Sequence, residues 1–356
     1  MSNNTSIPVD AAEIPAGPHA PSKIFDYVED HCRHGDINKY ISSIIGPKFD
    51  EYRELWNRAH NLEVETEFPL HLSIESQLKC NYRCVMCTYS EKDELAKQQY
   101  PDVMSEELFD QIIDEAAEYN CPSINFNVLN EPLLDAETPR RIKKAHDAGF
   151  LDLRMNTNGS LLTADKAEAI IDAGLTRLYV GFDAASAETY EKVRVGGNYD
   201  KVVKNVLKFL EIRDKKGMKL PILRVSFVRM NINEHEIQDF MDFWQDKADM
   251  VTIQEYMPPV IREDFLSKHA SSKRIPEEYT CPQPFERVVL KGNGDLTPCC
   301  AQYNYKLKMG NIHEQTIHEL WHSPKMKELR GHMCDRTWDK LETCRTCLKS
   351  SYLYGS

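Results

Sequence analysis

Three cysteines with the spacing C-x3-C-x2-C are the residues best suited to do chemistry in this chain. They are Cys80, Cys84 and Cys87 in the run KCNYRCVMC, just after the strand-like run HLSIES near residue 73. Four thiolates close a four-coordinate metal site, whereas three leave one position open. The count therefore suits an iron–sulfur cluster with one iron free of protein ligands. A zinc site or a redox pair is the alternative that the spacing leaves open.

Composition indicates a globular protein that uses its thiols to bind metal. The chain has 356 residues, a length sufficient for one large barrel with an appended module. Hydrophobic residues make up 41% of it and charged residues 28%, as in a protein with a packed core. The formal net charge is −12 and no Lys/Arg-rich run stands out, so nucleic acid is not an expected partner. The chain contains no run of about 18 apolar residues, so its sequence does not predict a membrane span. The N-terminus lacks the basic and apolar regions of a secretory signal, so we expect a cytoplasmic protein.

The eleven cysteines fall mainly into two groups. Without an export signal, metal ligation explains them better than a disulfide framework does. The second group lies near the C-terminus and comprises Cys281, Cys299, Cys300, Cys334, Cys344 and Cys347. Only Cys32 and Cys121 stand apart, and we expect them to be inert thiols.

Strand-like and helix-like runs alternate between residues 70 and 257. The strand candidates are HLSIES, SINFNV, LDLRMN, RLYVGF, ILRVSFV and MVTIQEY, and helical patterns separate them. This alternation predicts parallel βα units, and the expected fold class is α/β with a partial TIM-like (β/α)6 barrel. Functional residues of such barrels lie at the C-terminal ends of the strands, which is where the three-cysteine loop falls.

The remaining segments have different patterns. Residues 1–23 are rich in Pro, Ala and Asn, and we expect a disordered tail. Residues 24–69 predict a helical N-terminal extension, and residues 258–280 predict a linker. Residues 281–350 predict a small C-terminal domain, with short β-type runs around a Gly-Asn-Gly-Asp turn and then one short helix, TIHELWHSPKMKELRGHM.

The cysteine spacing and its place after the first strand resemble the radical S-adenosylmethionine (radical SAM) superfamily, over roughly residues 70–350. The resemblance implies that the three cysteines hold a [4Fe–4S] cluster whose fourth iron binds S-adenosylmethionine. It also implies that cleavage of this cofactor gives a radical that takes a hydrogen atom from a substrate. A reducing partner such as flavodoxin or ferredoxin is then expected.

Polar residues at two strand ends resemble the superfamily's cofactor contacts. Asn130 and Glu131 follow the second strand, and the resemblance implies that Glu131 holds the amino group of the cofactor. A helix-start carboxylate before Pro132 is the alternative for Glu131. Asn156 and Asn158, in MNTNGSLLT, resemble the element near the ribose hydroxyls.

The fourth and sixth strands end in further candidates. Asp183 and Arg194 resemble the S-x-D and V-R-x-G-G segments of the superfamily, and Arg194 is expected to bind the cofactor carboxylate. Gly181 stands where the superfamily usually has Ser. Gln254 and Glu255 end the sixth strand, and their side chains face either the cavity or solvent.

The C-terminal cysteines resemble a SPASM or shortened twitch domain, which carries auxiliary [4Fe–4S] clusters. The resemblance implies one such cluster, and the layout is similar to that of the aminocyclitol dehydrogenase of butirosin biosynthesis. Its expected ligands are Cys281, Cys299, Cys344 and Cys347. Cys300 is an alternative to Cys299 as ligand, and Cys300 and Cys334 are candidate hydrogen-atom donors. Four thiolates would also suit a structural zinc site.

The favoured function is a radical SAM oxidoreductase that removes a hydrogen atom from a small polar substrate, such as a sugar or cyclitol, and passes an electron to the auxiliary cluster. An epimerase with a cysteine hydrogen donor and a peptide-modifying enzyme (RiPP maturation) are the alternatives. A non-enzymatic cluster scaffold is disfavoured by the polar residues at successive strand ends.

Overall fold

The N-terminal region mixes strands and helices. The computed structural model describes residues 11–14, 28–90, 103–256, 280–300 and 304–352. The first elements are β1 (Ala11–Glu13), β2 (Val28–Cys32), α1 (Ile37–Ile45), α2 (Pro47–His60) and β3 (Val64–Thr66). β1 pairs antiparallel with β3. The tail predicted to be disordered over 1–23 therefore contributes a strand, and the extension predicted to be helical over 24–69 also contains strands, β2 and β3.

Six parallel strands form the central sheet, as the sequence predicts. They are β4 (His71–Glu75), β5 (Ser123–Asn125), β6 (Asp152–Thr157), β7 (Arg177–Gly181), β8 (Ile222–Arg229) and β9 (Met250–Glu255). Each pairs in parallel with the next one along the chain. β2 adds antiparallel to β9 at one edge. The described sheet has two ends, so the predicted α/β class and partial barrel are confirmed.

Helices between these strands follow the predicted periodicity. They are α3 (Glu106–Glu118), α4 (Thr138–Asp147), α5 (Ala164–Asp172), α6 (Ala187–Val193), α7 (Tyr199–Lys215) and α8 (Ile237–Trp244). α3 shows why they form: Ser105 caps it by accepting from Leu108 N (3.1 Å). Its buried face consists of Leu108, Phe109, Ile112, Ile113 and Ala116. Burial of each large apolar side chain there contributes about 1.5–3 kcal/mol.

The C-terminal region continues the same sheet. Its strands are β10 (Arg287–Lys291), β11 (Asp295–Thr297) and β12 (Gly310–Asn311). β10 pairs in parallel with β4, and β11 returns antiparallel to β10. Its helices are α9 (Gln283–Glu286), α10 (Ile317–Trp321), α11 (Pro324–Cys334) and α12 (Glu342–Tyr352). Two helices replace the single predicted one, because Pro324 starts a new helix after the Ser323 cap. The predicted linker, 258–280, lies outside the described residues except for Thr280.

Helix α2 packs against the N-terminal end of the barrel. The ring of Trp56 lies edge-on to His71 at 6.1 Å, and the guanidinium of Arg287 lies 5.2 Å from it. Arg154 approaches the same ring at 6.0 Å. The N-terminal extension therefore covers the end of the barrel opposite the three-cysteine loop.

Candidate functional site

The loop after β4 carries the three-cysteine motif at the C-terminal end of the sheet. Two backbone hydrogen bonds hold this loop to the C-terminal end of α6 and the residues after it: Val85 N donates to Val193 O (3.0 Å) and Arg83 N donates to Val195 O (2.8 Å). The side chain of Arg83 donates back to Cys80 O at 2.8 Å. These contacts hold the three-cysteine loop against the end of α6.

The three thiols fit an iron–sulfur cluster. Backbone amides donate to two of the sulfurs, Tyr82 N to Cys80 and Tyr89 N to Cys87, each at 3.4 Å. Hydrogen bonds to sulfur are among the interactions that tune protein-bound clusters. Burial raises the pKa of each thiol, that of Cys87 to about 11. Because metal ligation needs thiolates, cluster binding must displace these protons.

Arg194 joins the cysteine loop to the fourth strand end. Its Nη1 lies 3.7 Å from Cys84 Sγ, and its Nη2 lies 2.5 Å from Asp183 Oδ2. Asp183 is completely buried and also accepts from Val228 N at 2.7 Å. Asp183 and Arg194 therefore form an ion pair, in which Arg194 faces the cavity and Asp183 lies on the far side of Arg194 from the cavity. A Cβ on Gly181 would overlap Arg194 Nη2, so a side chain at this position would have to displace the guanidinium.

The carboxylate of Glu131 links the second and third strand ends. It accepts from Asn158 N (2.8 Å), Thr157 Oγ1 (2.7 Å) and Leu133 N (3.1 Å). The last contact is the helix-start cap that the sequence left open as an alternative. Burial nevertheless raises the pKa of Glu131 above its ordinary value. A cofactor ammonium beside it would favour the charged form, so the residue fits the expected role.

Asparagine side chains form the neighbouring wall. Asn156 Nδ2 donates to Asn125 Oδ1 (3.2 Å) and Asn127 Oδ1 (3.3 Å). Asn158 Nδ2 donates to Asn81 Oδ1 at 2.9 Å. The buried Nδ2 of Asn130 has no hydrogen-bond partner among the described residues. An unpaired buried donor is costly, so it suits a bound polar ligand.

A cavity of about 270 Å³ gathers most of the predicted residues. Its lining includes the three cysteines of the loop together with Asn130, Glu131, Asn156, Asn158, Arg194 and Gln254. Asp183 and Glu255 do not line it, and Glu255 instead pairs with Arg229 at 2.8 Å. The candidate hydrogen donors Cys300 and Cys334 are also absent from the lining. Cys334 ends α11, where burial and the charge of Asp335 raise the pKa of its thiol.

The cavity wall also contains residues that the sequence did not predict, and Tyr179 and Arg224 are among them. Tyr179 and Arg224 are register partners on β7 and β8, and the guanidinium of Arg224 stacks over the ring of Tyr179 at 3.6 Å. Burial favours the neutral phenol, but Arg177, Arg224 and Arg154 outweigh it and lower the pKa of Tyr179. The alternating polar residues of β8 were the available signal.

The C-terminal cysteines approach one another around α12. Cys344 and Cys347 lie three residues apart on this helix and so share a face. Burial and the thiolate of Cys281 raise the pKa of Cys344 to about 12. Burial and the charges of Cys281, Cys300 and Cys344 raise that of Cys347 to about 12. Cys299 is buried and its exposed neighbour Cys300 lies within electrostatic reach of Cys347, so both stay candidates for the fourth ligand.

The two cysteine groups lie at opposite ends of the barrel. The first loop follows the C-terminal end of β4. Cys281 precedes β10, which runs parallel to β4, whereas Cys299 and Cys300 follow β11, which runs back antiparallel. The C-terminal group therefore lies near the N-terminal ends of β4 and β10. The five residues of β4 separate the two levels by about 17 Å.

Two family profiles match the chain. The Radical SAM superfamily matches residues 74–243, and the SPASM iron–sulfur cluster-binding domain matches residues 281–348. No helix in the described ranges is long and apolar enough to cross a membrane.

Several proteins of similar sequence are named as GTP 3′,8-cyclases. The probable GTP 3′,8-cyclase of Methanococcus maripaludis strain C5 is 29% identical over 60% of this chain and 67% of its own length. For the strain C7 relative, at 28% identity, the chain spans 62% of the relative's length. The GTP 3′,8-cyclase of Clostridium botulinum strain Hall is 29% identical over 76% of this chain and 94% of its own length.

Solved structures of three other proteins have the same fold. BtrN in complex with AdoMet and 2-DOIA has a TM-score of 0.53 at 18% identity, over 77% of this chain and 91% of BtrN. Streptococcus suis SuiB bound to precursor peptide SuiA has a TM-score of 0.57 at 15% identity, over 80% and 71%. Native anSMEcpe with bound AdoMet has a TM-score of 0.58 at 17% identity, over 79% and 88%. At these identities the likeness establishes the fold.

The profiles, the fold and the cysteine-lined cavity agree with one another. The chain belongs to the radical SAM superfamily and carries a C-terminal SPASM domain, so it is a radical SAM enzyme whose cofactors are S-adenosylmethionine and [4Fe–4S] clusters.

Proposed function

We propose that the enzyme oxidises a hydroxyl of a small polar substrate, of the sugar or cyclitol type, to a carbonyl. The observation that carries this proposal is the placement of the two cysteine groups at opposite ends of one barrel interior. A substrate in the cavity then lies between the end where its hydrogen atom is removed and the end that accepts an electron.

The residues of the cavity have distinct tasks in this proposal. Cys80, Cys84 and Cys87 would hold the first cluster, with Arg194 beside Cys84. When bound, this cluster and S-adenosylmethionine supply a 5′-deoxyadenosyl radical that removes one hydrogen atom from a substrate carbon. Glu131 would orient the amino group of the cofactor. The wall of fixed side chains holds the reacting atoms in place and excludes water.

Oxidation of the alcohol requires the loss of one hydrogen atom, one proton and one electron from the substrate. Cys281, Cys344, Cys347 and one of the adjacent pair Cys299 and Cys300 would hold an auxiliary cluster, which would supply the acceptor for this electron. All eleven cysteines are described, and of these only the three loop cysteines line the cavity. Return of a hydrogen atom from a thiol, as an epimerase needs, is therefore disfavoured.

The test is the fate of hydrogen during turnover. In D2O, the proposal predicts one 5′-deoxyadenosine for each oxidised product and no solvent deuterium at the reacting carbon. Solvent deuterium at an inverted carbon would refute oxidation and favour an epimerase.

Cyclisation of a nucleotide is a second candidate, favoured by the 29% identity to the C. botulinum GTP 3′,8-cyclase. It predicts that GTP increases 5′-deoxyadenosine release and yields a product of the same oxidation level. Absence of both effects with GTP would remove this candidate.

A further inference from the structure

The floor of the cavity carries a cation that forms no ion pair with a carboxylate of the described residues. Among the described residues, Arg224 makes no hydrogen bond or ion pair with any side chain, and its buried Nε is unsatisfied. The other arginine of β8 is Arg229, at the end of the strand. It pairs with both Glu255 and Glu29. Arg224 is therefore the arginine of β8 left available to a ligand.

The surroundings of Arg224 are positive. Asp152 is a single buried carboxylate shared by Arg154 and Arg177. Burial lowers the pKa of Arg224, and the charges of Arg154 and Arg177 lower it further, whereas Tyr179 and Asp30 raise it. The carboxylate of Asp30 already accepts from Thr252 Oγ1 at 2.7 Å. The neighbourhood thus has a positive excess that an incoming anion would neutralise.

Arg224 lies deep in the cavity, away from the cysteine loop. Val228, four residues further along β8, is the residue whose amide binds Asp183 at the level of Arg194. Four strand residues span about 13 Å. Arg224 also forms one layer with Tyr179 and Asn156, which are consecutive register partners on the neighbouring strands. This depth favours the substrate, rather than the cofactor at the loop, as the ligand of Arg224.

We propose that Arg224 binds an oxyanion of the substrate, a carboxylate or a phosphate group, at the floor of the cavity. The planar guanidinium can donate two parallel hydrogen bonds to such a group, and stacking on Tyr179 fixes its plane. The substrate class is thereby narrowed from small polar molecules to acidic ones, such as sugar acids or sugar phosphates. This inference rests on the proposed function, because it places the substrate in this cavity.

The experiment begins with the reconstituted holoenzyme and cell extract of the source organism. The extract is separated into macromolecular, neutral or cationic, and anionic pools, and each is tested for increased 5′-deoxyadenosine release. The proposal predicts that the anionic pool alone is active. Treatment with phosphatase then distinguishes the two oxyanions, because activity is lost for a phosphate and kept for a carboxylate. Stimulation by another pool, or by none, would overturn the proposal.

Variants connect the active anion to Arg224. Arg224→Gln should raise the KM for the purified stimulant by about tenfold to a hundredfold, the loss expected for charge-assisted hydrogen bonds. Arg224→Lys keeps the charge and should lose less, and Arg229→Gln on the same strand should match the wild type. An unchanged KM in Arg224→Gln would overturn the proposal. A rise confined to the KM for S-adenosylmethionine would do the same, since it would assign Arg224 to the cofactor carboxylate.

The outcomes separate this inference from the proposed function. If a neutral compound stimulates release and is oxidised, the oxyanion site fails and the oxidation stands. If an acidic compound depends on Arg224 but is not oxidised, the oxyanion site stands and the oxidation fails.

Discussion

Glu131 has a structural role that can be measured apart from cofactor binding. Its carboxylate is 2% exposed and accepts three hydrogen bonds, two of them from backbone amides. In Glu131→Gln the oxygen of the side chain still accepts, but the new NH2 group cannot and leaves at least one of these donors unpaired. An unpaired buried donor costs about 1–3 kcal/mol. We therefore expect the free energy of unfolding to fall by about 1–3 kcal/mol.

The assay is urea unfolding of the cluster-free protein, followed by tryptophan fluorescence. Glu137→Gln is the matched control, because Glu137 is half exposed and its pairing with Arg140 spans 3.6 Å at the surface. Such surface pairs contribute little, so the control should unfold like the wild type. Binding of S-adenosylmethionine by the reconstituted protein should also weaken in Glu131→Gln. If binding weakens while unfolding matches the control, the structural role of Glu131 is refuted.

Three further predictions concern the clusters and the barrel floor. Reconstituted protein should hold about eight irons, and alanine at all three loop cysteines should leave about four, whereas one zinc per chain would contradict an auxiliary iron–sulfur cluster. Alanine at Cys299 should lose auxiliary iron while alanine at Cys300 keeps it; the reverse result would assign Cys300 as the ligand. Asp152→Asn should lower the free energy of unfolding by about 3–5 kcal/mol, because it leaves the buried Arg177 and the partly exposed Arg154 without their shared carboxylate. Burial alone would raise the pKa of Asp152, but the charges of Arg154 and Arg177 outweigh burial and lower this pKa. The wild type should therefore exceed the variant in free energy of unfolding by the full amount above about pH 5, and by less below about pH 4. An advantage that does not change with pH in unfolding titrations would contradict this pairing.

The central sheet was predictable because its signals are local. Apolar strand runs alternate with amphipathic helices, and glycines such as Gly149 and Gly174, with φ of 95° and 89°, follow two of the helices. β2 was missed because its sequence, VEDHC, is charged and its partner β9 lies more than 200 residues away. The sequence predicts the local hairpin of β10 with β11. It does not predict that β10 pairs in parallel with β4, which lies more than 200 residues away.

The site was predictable where a motif carries the chemistry and not where packing does. The cysteine loop and the polar strand ends reach one cavity, as their positions in a barrel require. That Asp183 lies behind Arg194 depends on a side-chain pairing across the fourth strand end. Arg224 was overlooked because a polar residue alternating with apolar ones in a strand usually faces solvent. Here the interior of the barrel is itself polar, so the same pattern faces the cavity.

The destination of the electron tests the central claim most directly. In a single turnover begun with the auxiliary cluster oxidised, Mössbauer spectra of 57Fe-reconstituted enzyme can follow that cluster alongside product formation. Transfer of the substrate electron to it predicts one reduced auxiliary cluster for each oxidised product. Product formed at the same yield while the auxiliary cluster stays oxidised would contradict the account.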